Sequence, residues 1–242
     1  MAALGLGGGF HGTGTKDEIW KPWDLKDKLI HWFKWNNEIT KVTVGSDANM
    51  VSRWDDVVAG KNLAPSDATD VSQMPQWQAD GTLFFDQNTD SLRFVSPLSV
   101  STYSIYFKHK FKIGETISGE VMMETESGDS IKIHSGTETR IKNATRHDFA
   151  TKEIDPGTPY VFGLERRSTG DMMVYIDNQA STAADSDSLN VTTSNAFELA
   201  QVGDPNNDSY WYEIVICNEA LDADERNALY HYLNGVGGRP AL

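Results

Sequence analysis

The chain has 242 residues, with 35 Asp or Glu against 21 Lys or Arg, so its formal net charge is −14 at pH 7. This acidic balance argues against nucleic acid and anionic membranes as partners, because both select clustered cations. The single cysteine, Cys217, excludes an internal disulfide and zinc sites built from cysteine pairs.

The amino terminus carries no recognisable targeting segment. Its first ten residues, MAALGLGGGF, lack the charged region and the sustained apolar region of a signal peptide. No stretch of the chain approaches the roughly 20 apolar residues of a membrane-spanning helix. We therefore expect synthesis in the cytoplasm.

The first 16 residues are rich in glycine, which loses more backbone entropy on ordering than any other residue. The sequence predicts a flexible arm over 1–16 and one folded domain over 17–242. Two interpretations of the arm are open. It is either a loose terminus, or a segment that becomes ordered against a partner through Leu4, Leu6 and Phe10.

Short strands separated by turns follow. In residues 103–111 apolar side chains alternate with polar ones, the period of a strand with one buried face. His109 interrupts the apolar row, and we interpret it as a structural histidine. Further strands are predicted at 120–124, 130–134, 160–167, 171–177, 196–202 and 210–217. The last is apolar on both faces, which is typical of a central strand.

Turn residues cluster between these strands at 127–129, 155–157, 168–170 and 204–207. This spacing, without intervening helical periods, indicates an all-β sandwich or jelly roll. One helix is predicted near the carboxyl end, at about 222–234. Asp222 and Glu225 form a capping box, Leu229, Tyr232 and Leu233 form the apolar stripe, and Gly235 ends the helix.

Three motifs occur in order between residues 24 and 235. Their residues are Val51, Trp54 and Asp56, then Gly81, Phe85 and Asp86, and finally Glu213, Ile214, Leu221, Glu225 and Arg226. In this order the chain resembles the concanavalin A-like lectin/glucanase superfamily, in the laminin G-type form found in virion proteins of tailed bacteriophages. The resemblance implies a jelly roll and a virion protein. The same fold carries lectins, glycosidases and structural domains, so it does not decide the activity.

A glucanase needs two carboxylates on either side of the glycosidic bond, about 5–5.5 Å apart for a retaining enzyme. The nearest pairs are Glu153 with Asp155 and Glu124 with Glu126, and turn residues follow each of them. There is no G-x-S-x-G motif, and the six histidines show no paired ligand spacing. Cys217 lies in the most apolar strand, where burial disfavours a thiolate. The sequence therefore predicts no enzyme.

Calcium and sugar binding are the other two site chemistries. Asp185 and Asp187, or Asp204, Asn207 and Asp208, could supply oxygen ligands for calcium. These residue types are also the ordinary residues of turns, so the sequence favours no metal and no cofactor. An exposed tryptophan with polar partners could bind a sugar, which makes Trp77 and Trp211 candidates. The competing interpretation is that both fill the core.

The leading hypothesis is a non-enzymatic structural protein of a tailed-phage virion, in the first place a capsid decoration protein that docks through residues 1–16. Its partners would be other capsid or tail proteins. The alternative is a lectin-like tail or fibre module that contacts glycans on the host surface. A glycosidase is the third and least supported option.

Overall fold

The structure of the protein, a computed structural model, describes residues 20–35, 39–86, 90–125, 128–143, 145–183, 197–203 and 207–235. Within these segments no helix is both long and apolar enough to cross a lipid bilayer. Several predicted features lie outside them, namely the arm over 1–16 with Leu4, Leu6 and Phe10, the pair Asp185 and Asp187, and Asp204.

Strands make up most of the described chain. They are β1 (Leu29–Phe33), β2 (Ile39–Val44), β3 (Asp47–Trp54), β4 (Leu63–Ala64), β5 (Gln76–Trp77), β6 (Leu83–Phe85), β7 (Leu92–Val100), β8 (Tyr103–Phe111), β9 (Glu120–Glu124), β10 (Ser130–Ser135), β11 (Glu138–Asn143), β12 (Thr145–Ala150), β13 (Tyr160–Arg166), β14 (Met172–Ile176), β15 (Gln179–Ala180), β16 (Thr182–Ala183), β17 (Phe197–Val202) and β18 (Ser209–Cys217). Helix α1 spans Ala223–Gly235, and 3₁₀ helices span Pro22–Lys28 and Val71–Gln73.

The strands pair in antiparallel fashion and form two layers. In the first layer the order is β14, β13, β8 and β18, and both β1 and β6 pair with β18. In the second layer the order is β12, β11, β10, β9, β17, β7 and β4. Strand β3 pairs with β2, β4 and β5, and β5 pairs with β6, which links the layers at one side. The predicted all-β sandwich is confirmed.

The core lies between the inner faces of the two layers. Phe107 of β8 stacks on Phe162 of β13 with ring centroids 4.6 Å apart, and Trp211 of β18 lies 4.8 Å from Phe107. Ile133 and Ile141 of the second layer are buried in the same apolar cluster. Such closely packed aromatic rings contribute large apolar areas to the stability of the sandwich.

Strand β18 is central, as predicted, because it pairs with β1, β6 and β8. The prediction that β8 has one exposed face is wrong for most of its length. Ser104, Tyr106 and Lys108 point away from the core and are still buried. The segment around α1 covers them, since Ser104 Oγ donates to the Glu219 carbonyl at 2.8 Å and Lys108 Nζ donates to the Asn234 carbonyl at 2.9 Å.

The capping box at the start of α1 is confirmed. The backbone N–H groups of Asp224 and Glu225 each donate to Asp222 Oδ1 at 2.9 Å. The Glu225 carboxylate accepts the Asp222 N–H at 2.9 Å. Leu229 and Leu233 are fully buried beneath the helix, so the predicted apolar stripe packs on the outer face of the first layer.

Tight turns occur at predicted places that include 155–157 and 168–170. The Thr158 N–H donates to the Asp155 carbonyl at 3.1 Å, and Gly157 has φ of 89°. The Gly170 N–H donates to the Arg167 carbonyl at 2.9 Å, and Gly170 has φ of 92°. Both glycines adopt a backbone conformation that a Cβ atom disfavours.

Candidate functional site

A groove of about 300 Å³ opens where β3, β5 and β6 meet, and it combines apolar and polar side chains. Its lining consists of Asp47, Met50, Val71, Ser72, Met74, Gln76, Phe84, Asp86 and Asp90. Small-molecule sites in proteins have this character, with apolar and aromatic walls and a few polar groups that fix orientation. We call this feature the groove and take it as the candidate functional site.

The strand register places aromatic rings beside the groove. Gln76 of β5 lies opposite Phe84 of β6, and Phe84 lies opposite Tyr210 of β18. Since directly paired residues share one face of a sheet, these side chains form a row on the outer face of the first layer. The rings of Phe84 and Tyr210 have centroids 5.1 Å apart and are both partly exposed.

Lysine side chains flank the two rings on the far side from the groove. Lys110 lies opposite Tyr210 in the register, and its Nζ is 4.2 Å from the centre of that ring. Lys112 Nζ is 6.0 Å from the Phe84 ring centre and forms an ion pair with Asp208 Oδ2 at 2.5 Å. Cation–π contacts of this kind hold the rings in place.

Asp90 is the buried carboxyl of the groove, with 4 % of its surface exposed. Burial raises the pKa of Asp90 to about 8, and the carboxylates of Asp86 and Asp208 act in the same direction. The Asp86 N–H donates to Asp90 Oδ2 at 2.9 Å. This hydrogen bond lowers the pKa of Asp90, but its effect is smaller than that of burial. The Asp90 carboxyl is therefore largely protonated at pH 7 and can donate a hydrogen bond.

Close backbone packing holds Asp90 in position. Gly203, after β17, has φ of 77°, and its N–H donates to the Met122 carbonyl at 3.0 Å. A Cβ atom at Gly203 would lie 2.6 Å from the Phe85 ring and 3.2 Å from the Asp90 carbonyl oxygen. Only glycine fits here without displacing the segment that carries Asp90.

The structure does not bring the predicted sugar-binding tryptophans into the groove. Trp211 is 1 % exposed and packs against Phe107, so it is a core residue, which corrects its candidacy as a sugar platform. Trp77 is partly buried and lies opposite Leu83, on the other face of β5 from Gln76. Lys41 Nζ lies 3.7 Å from the Trp77 ring centre, a cation–π contact like that of Lys110 with Tyr210.

The sequence motifs prove to build the fold. Val51 and Trp54 are fully buried, and the Asp56 carboxylate accepts the N–H groups of Trp32 and Val58, both at 3.0 Å. Arg226 of the last motif binds the buried carboxylate of Glu165 at 3.0 Å. These residues are therefore structural, apart from Asp86, which lines the groove.

The carboxylate pairs weighed for glycosidase chemistry do not form a cleft among the described residues. Glu153 and Asp155 are both exposed, and Asp155 belongs to the turn closed by Thr158. Glu126 lies outside the described residues, and Glu124 accepts a hydrogen bond from Gln201 Nε2 at 2.7 Å. Burial raises the pKa of the Cys217 thiol to about 12, which agrees with a thiol in the core.

Of the predicted calcium ligands, Asn207 and Asp208 can be placed. Asn207 Nδ2 donates to the Thr116 carbonyl at 2.8 Å, and Asp208 pairs with Lys112. Within the described segments no group of three or more His, Cys, Asp or Glu residues is arranged to hold a metal ion.

A second, larger cavity of about 660 Å³ lies at another end of the sandwich. Turn residues such as Arg167, Thr169 and Asp171 line it together with Glu219 and Asp222. None of the described residues that line it is aromatic, and their charges are mixed. We therefore favour the groove as the site with the more specific chemistry.

The aromatic row at the groove was not anticipated, although a signal for it exists in the sequence. In the run Leu83–Phe85 the outer two side chains are buried and Phe84 points outwards. In β18, Tyr210 is likewise partly exposed, and the next residue, Trp211, is buried. Side chains of a strand alternate between the core and solvent, and an aromatic residue at a position that faces solvent is the pattern that would have identified Phe84 and Tyr210.

No protein-family model matches the chain, and no curated protein is significantly similar to it in sequence. Solved structures do share its fold. A Trypanosoma rangeli sialidase superposes with a TM-score of 0.57 at 13% identity, over 84% of this chain and 32% of the sialidase. The botulinum neurotoxin serotype D binding domain gives a TM-score of 0.57 at 14% identity, over 85% of this chain and 52% of that one.

A third similar structure is that of botulinum neurotoxin type C, which depends on interaction with two ganglioside molecules to get into cells. Its TM-score is 0.54 at 14% identity, over 87% of this chain and 52% of that one. This chain thus spans about a third of the sialidase and about half of each toxin chain. At such identities the likeness defines the class, a jelly-roll-like β-sandwich, and nothing finer.

Proposed function

We propose that the protein is a glycan-binding β-sandwich, without catalytic activity of its own, and that the groove is its binding site. The observation that carries this proposal is the placement of Phe84 and Tyr210 next to the polar groups of Ser72, Gln76 and Asp86. A sugar presents apolar C–H faces and a rim of hydroxyl groups, and this combination of ring and polar side chains complements both.

The polar lining supports hydrogen bonds in both directions. The Asp86 carboxylate and the Gln76 carbonyl oxygen accept from hydroxyl groups, while the Gln76 amide and the neutral Asp90 carboxyl donate. The toxin binding domains of the same fold add support, since the type C toxin interacts with gangliosides. The described lining of the groove contains no Lys or Arg, so its ligand is a neutral or cationic portion of a glycan.

Glycan binding is testable on the whole chain. We expect saturable binding to at least one glycan on an array, followed by a measurable dissociation constant in calorimetry. Phe84→Ala removes the ring that faces the groove, and we expect it to weaken the affinity at least about tenfold, about 1.4 kcal/mol. Absence of saturable binding to any glycan would contradict the proposal.

Ile113→Ala is the matched control. Ile113 is 82% exposed on the turn after β8, so this variant also removes an exposed apolar side chain but does not touch the groove. We expect its affinity to remain within about twofold of the wild type. Equal losses in Phe84→Ala and Ile113→Ala would point to a general effect and count against the groove.

A second candidate function is the virion structural role, in which the sandwich decorates a tailed-phage capsid. It is supported by the ordered motif residues of the sequence, which carry the resemblance to virion proteins of tailed bacteriophages. The two functions are compatible, because a virion protein can carry a glycan site. Deletion of residues 1–16 should abolish incorporation into particles, and unchanged incorporation would remove the proposed role of Leu4, Leu6 and Phe10.

A further inference from the structure

The outer face of the second layer carries a group of cations that the groove does not use. On β10, Lys132 alternates with the buried Ile131 and Ile133, so it points away from the core. Arg140 of β11 lies opposite Lys132, and Lys142 of β11 lies opposite Arg146 of β12. We call Lys132, Arg140, Lys142 and Arg146 the basic face.

This concentration of positive charge runs against the composition of the chain. The outer face of β10, β11 and β12 carries four Lys or Arg against two carboxylates, Glu138 and Asp148, in a chain with 35 acidic and 21 basic residues. Like charges on neighbouring strands of a sheet repel each other and lower stability. Cations that lie together on one face nevertheless create a local positive potential on an otherwise acidic protein.

Carboxylates neutralise only part of the basic face. Asp148 Oδ1 accepts from Arg140 Nε at 2.7 Å, and Asp148 Oδ2 accepts from Arg146 Nε at 2.8 Å. Glu138 Oε1 lies 3.5 Å from Arg140 Nη2 and 3.8 Å from His134 Nε2. Lys132 and Lys142 form no ion pair with any residue in the described parts of the chain.

The spacing of the cations suits an extended polyanion. Neighbouring strands lie about 4.8 Å apart, and residues two positions apart on one strand are separated by about 6.8 Å. The four side chains therefore follow a stepped line across β10, β11 and β12, in the order Lys132, Arg140, Lys142 and Arg146. A chain of linked anionic groups can contact several of them at once. The remaining surface is acidic and repels densely charged partners such as duplex nucleic acid or an anionic bilayer, which would face the whole body of the protein.

We propose that the basic face is a second binding site, which takes an acidic polysaccharide, one that carries sulfate, phosphate or carboxylate groups along its chain. The site is built from β10, β11 and β12, whereas the groove is lined from β3, β5 and β6. The two sites are therefore independent. The protein can bind an acidic glycan through charge and a less charged portion of a glycan through the groove.

Dextran sulfate is the probe, and uncharged dextran of the same length is the matched ligand control. We expect saturable binding of dextran sulfate at 50 mM salt, an affinity that falls steeply as salt is raised, and no binding of dextran. The double variant Lys132→Glu/Lys142→Glu should lose at least about tenfold in affinity. Thermal melts of both proteins establish that the fold is retained.

The matched protein control is Lys21→Glu/Lys26→Glu. Both lysines are exposed, at the 3₁₀ helix Pro22–Lys28, and the double change alters the net charge by the same amount. We expect it to keep dextran sulfate binding within about twofold, and Phe84→Ala should do the same.

Equal losses in the two charge-reversal variants would overturn the proposal, as would absence of binding by the wild type. The assignment to a polysaccharide would be overturned if phosphatidylserine vesicles or a single-stranded oligonucleotide bound as tightly as dextran sulfate does. This binding would also have to depend on Lys132 and Lys142 in the same way.

Discussion

Individual buried carboxyls set the pH response of this protein, and Glu213 is the clearest case. Its side chain is 1 % exposed, accepts from Trp32 Nε1 at 2.5 Å and accepts the Trp35 N–H at 3.2 Å. Burial raises the pKa of Glu213 to about 7, although these hydrogen bonds and the one with Tyr232 act to lower it. The folded state therefore binds the proton more tightly than the unfolded chain does.

The sign of the pH effect follows directly. Glu213 contributes most to stability below its ordinary pKa of 4.5, and the contribution is lost as the pH rises through about 7. Glu213→Gln keeps an acceptor for Trp32 but carries no charge. We expect the free energy of unfolding, measured in urea, to decrease between pH 5 and pH 8 in the wild type and to decrease less in Glu213→Gln. The difference between the two decreases should be on the order of 2 kcal/mol. Parallel pH profiles for the two proteins would contradict this account.

His109 shows how far a single residue can be understood from the sequence. The interpretation as a structural histidine agrees with its complete burial and with the 3.0 Å distance from its Nδ1 to the Tyr160 hydroxyl, but its Nε2 has no hydrogen-bond partner among the described residues. Burial lowers the pKa of His109 well below its ordinary value, so the ring is neutral. The pairing with Tyr160 depends on the register between β8 and β13, which the local alternation of the strand does not contain.

At the level of elements, a partly buried ion pair holds α1 on the sandwich. Arg226 Nη1 lies 3.0 Å from Glu165 Oε2, and the Tyr106 hydroxyl donates to Glu165 Oε1 at 2.7 Å. Glu165 is 1 % exposed, and its burial raises the pKa of the carboxyl despite both contacts. The guanidinium also lies 4.6 Å from the Tyr175 ring centre.

Removal of one partner should therefore be more harmful than removal of both. Arg226→Ala leaves the Glu165 carboxylate buried without its cation, and we expect a loss of about 3–5 kcal/mol in the free energy of unfolding. The double variant Arg226→Ala/Glu165→Gln should recover part of this loss, because no uncompensated charge remains. Urea unfolding of the wild type and the three variants, including Glu165→Gln alone, measures the coupling. A loss below about 0.5 kcal/mol in Arg226→Ala would show that the ion pair does not anchor α1.

Elements with a strong local pattern were predictable, and elements that depend on neighbours were not. Strand β8 and helix α1 follow from alternation and from the capping box at Asp222. Strands β4, β5 and β6 have only two or three residues each, too few for a period to be recognised. The groove is built mainly around such short strands, so its position required the pairing of Gln76 with Phe84 and of Phe84 with Tyr210.

For the whole molecule, fold and function are separate questions. Similar sandwiches occur in a sialidase and in neurotoxin binding domains at 13% and 14% identity, so the architecture leaves the activity open. Charge is also unevenly distributed: an overall charge of −14 coexists with the basic face, while the groove is lined by carboxyls and aromatic surface. A molecule with two such surfaces is suited to contact with partners of different charge.

The most direct test of the glycan-binding groove is to map a bound glycan on the isotopically labelled protein by nuclear magnetic resonance. In a titration with the best ligand from the array, we expect the largest amide shift changes at Gln76, Phe84 and Tyr210, which form the row beside the groove. The same titration of Phe84→Ala should require at least about tenfold more glycan for the same changes. Shift changes confined to another surface, or none at saturating glycan, would contradict the account.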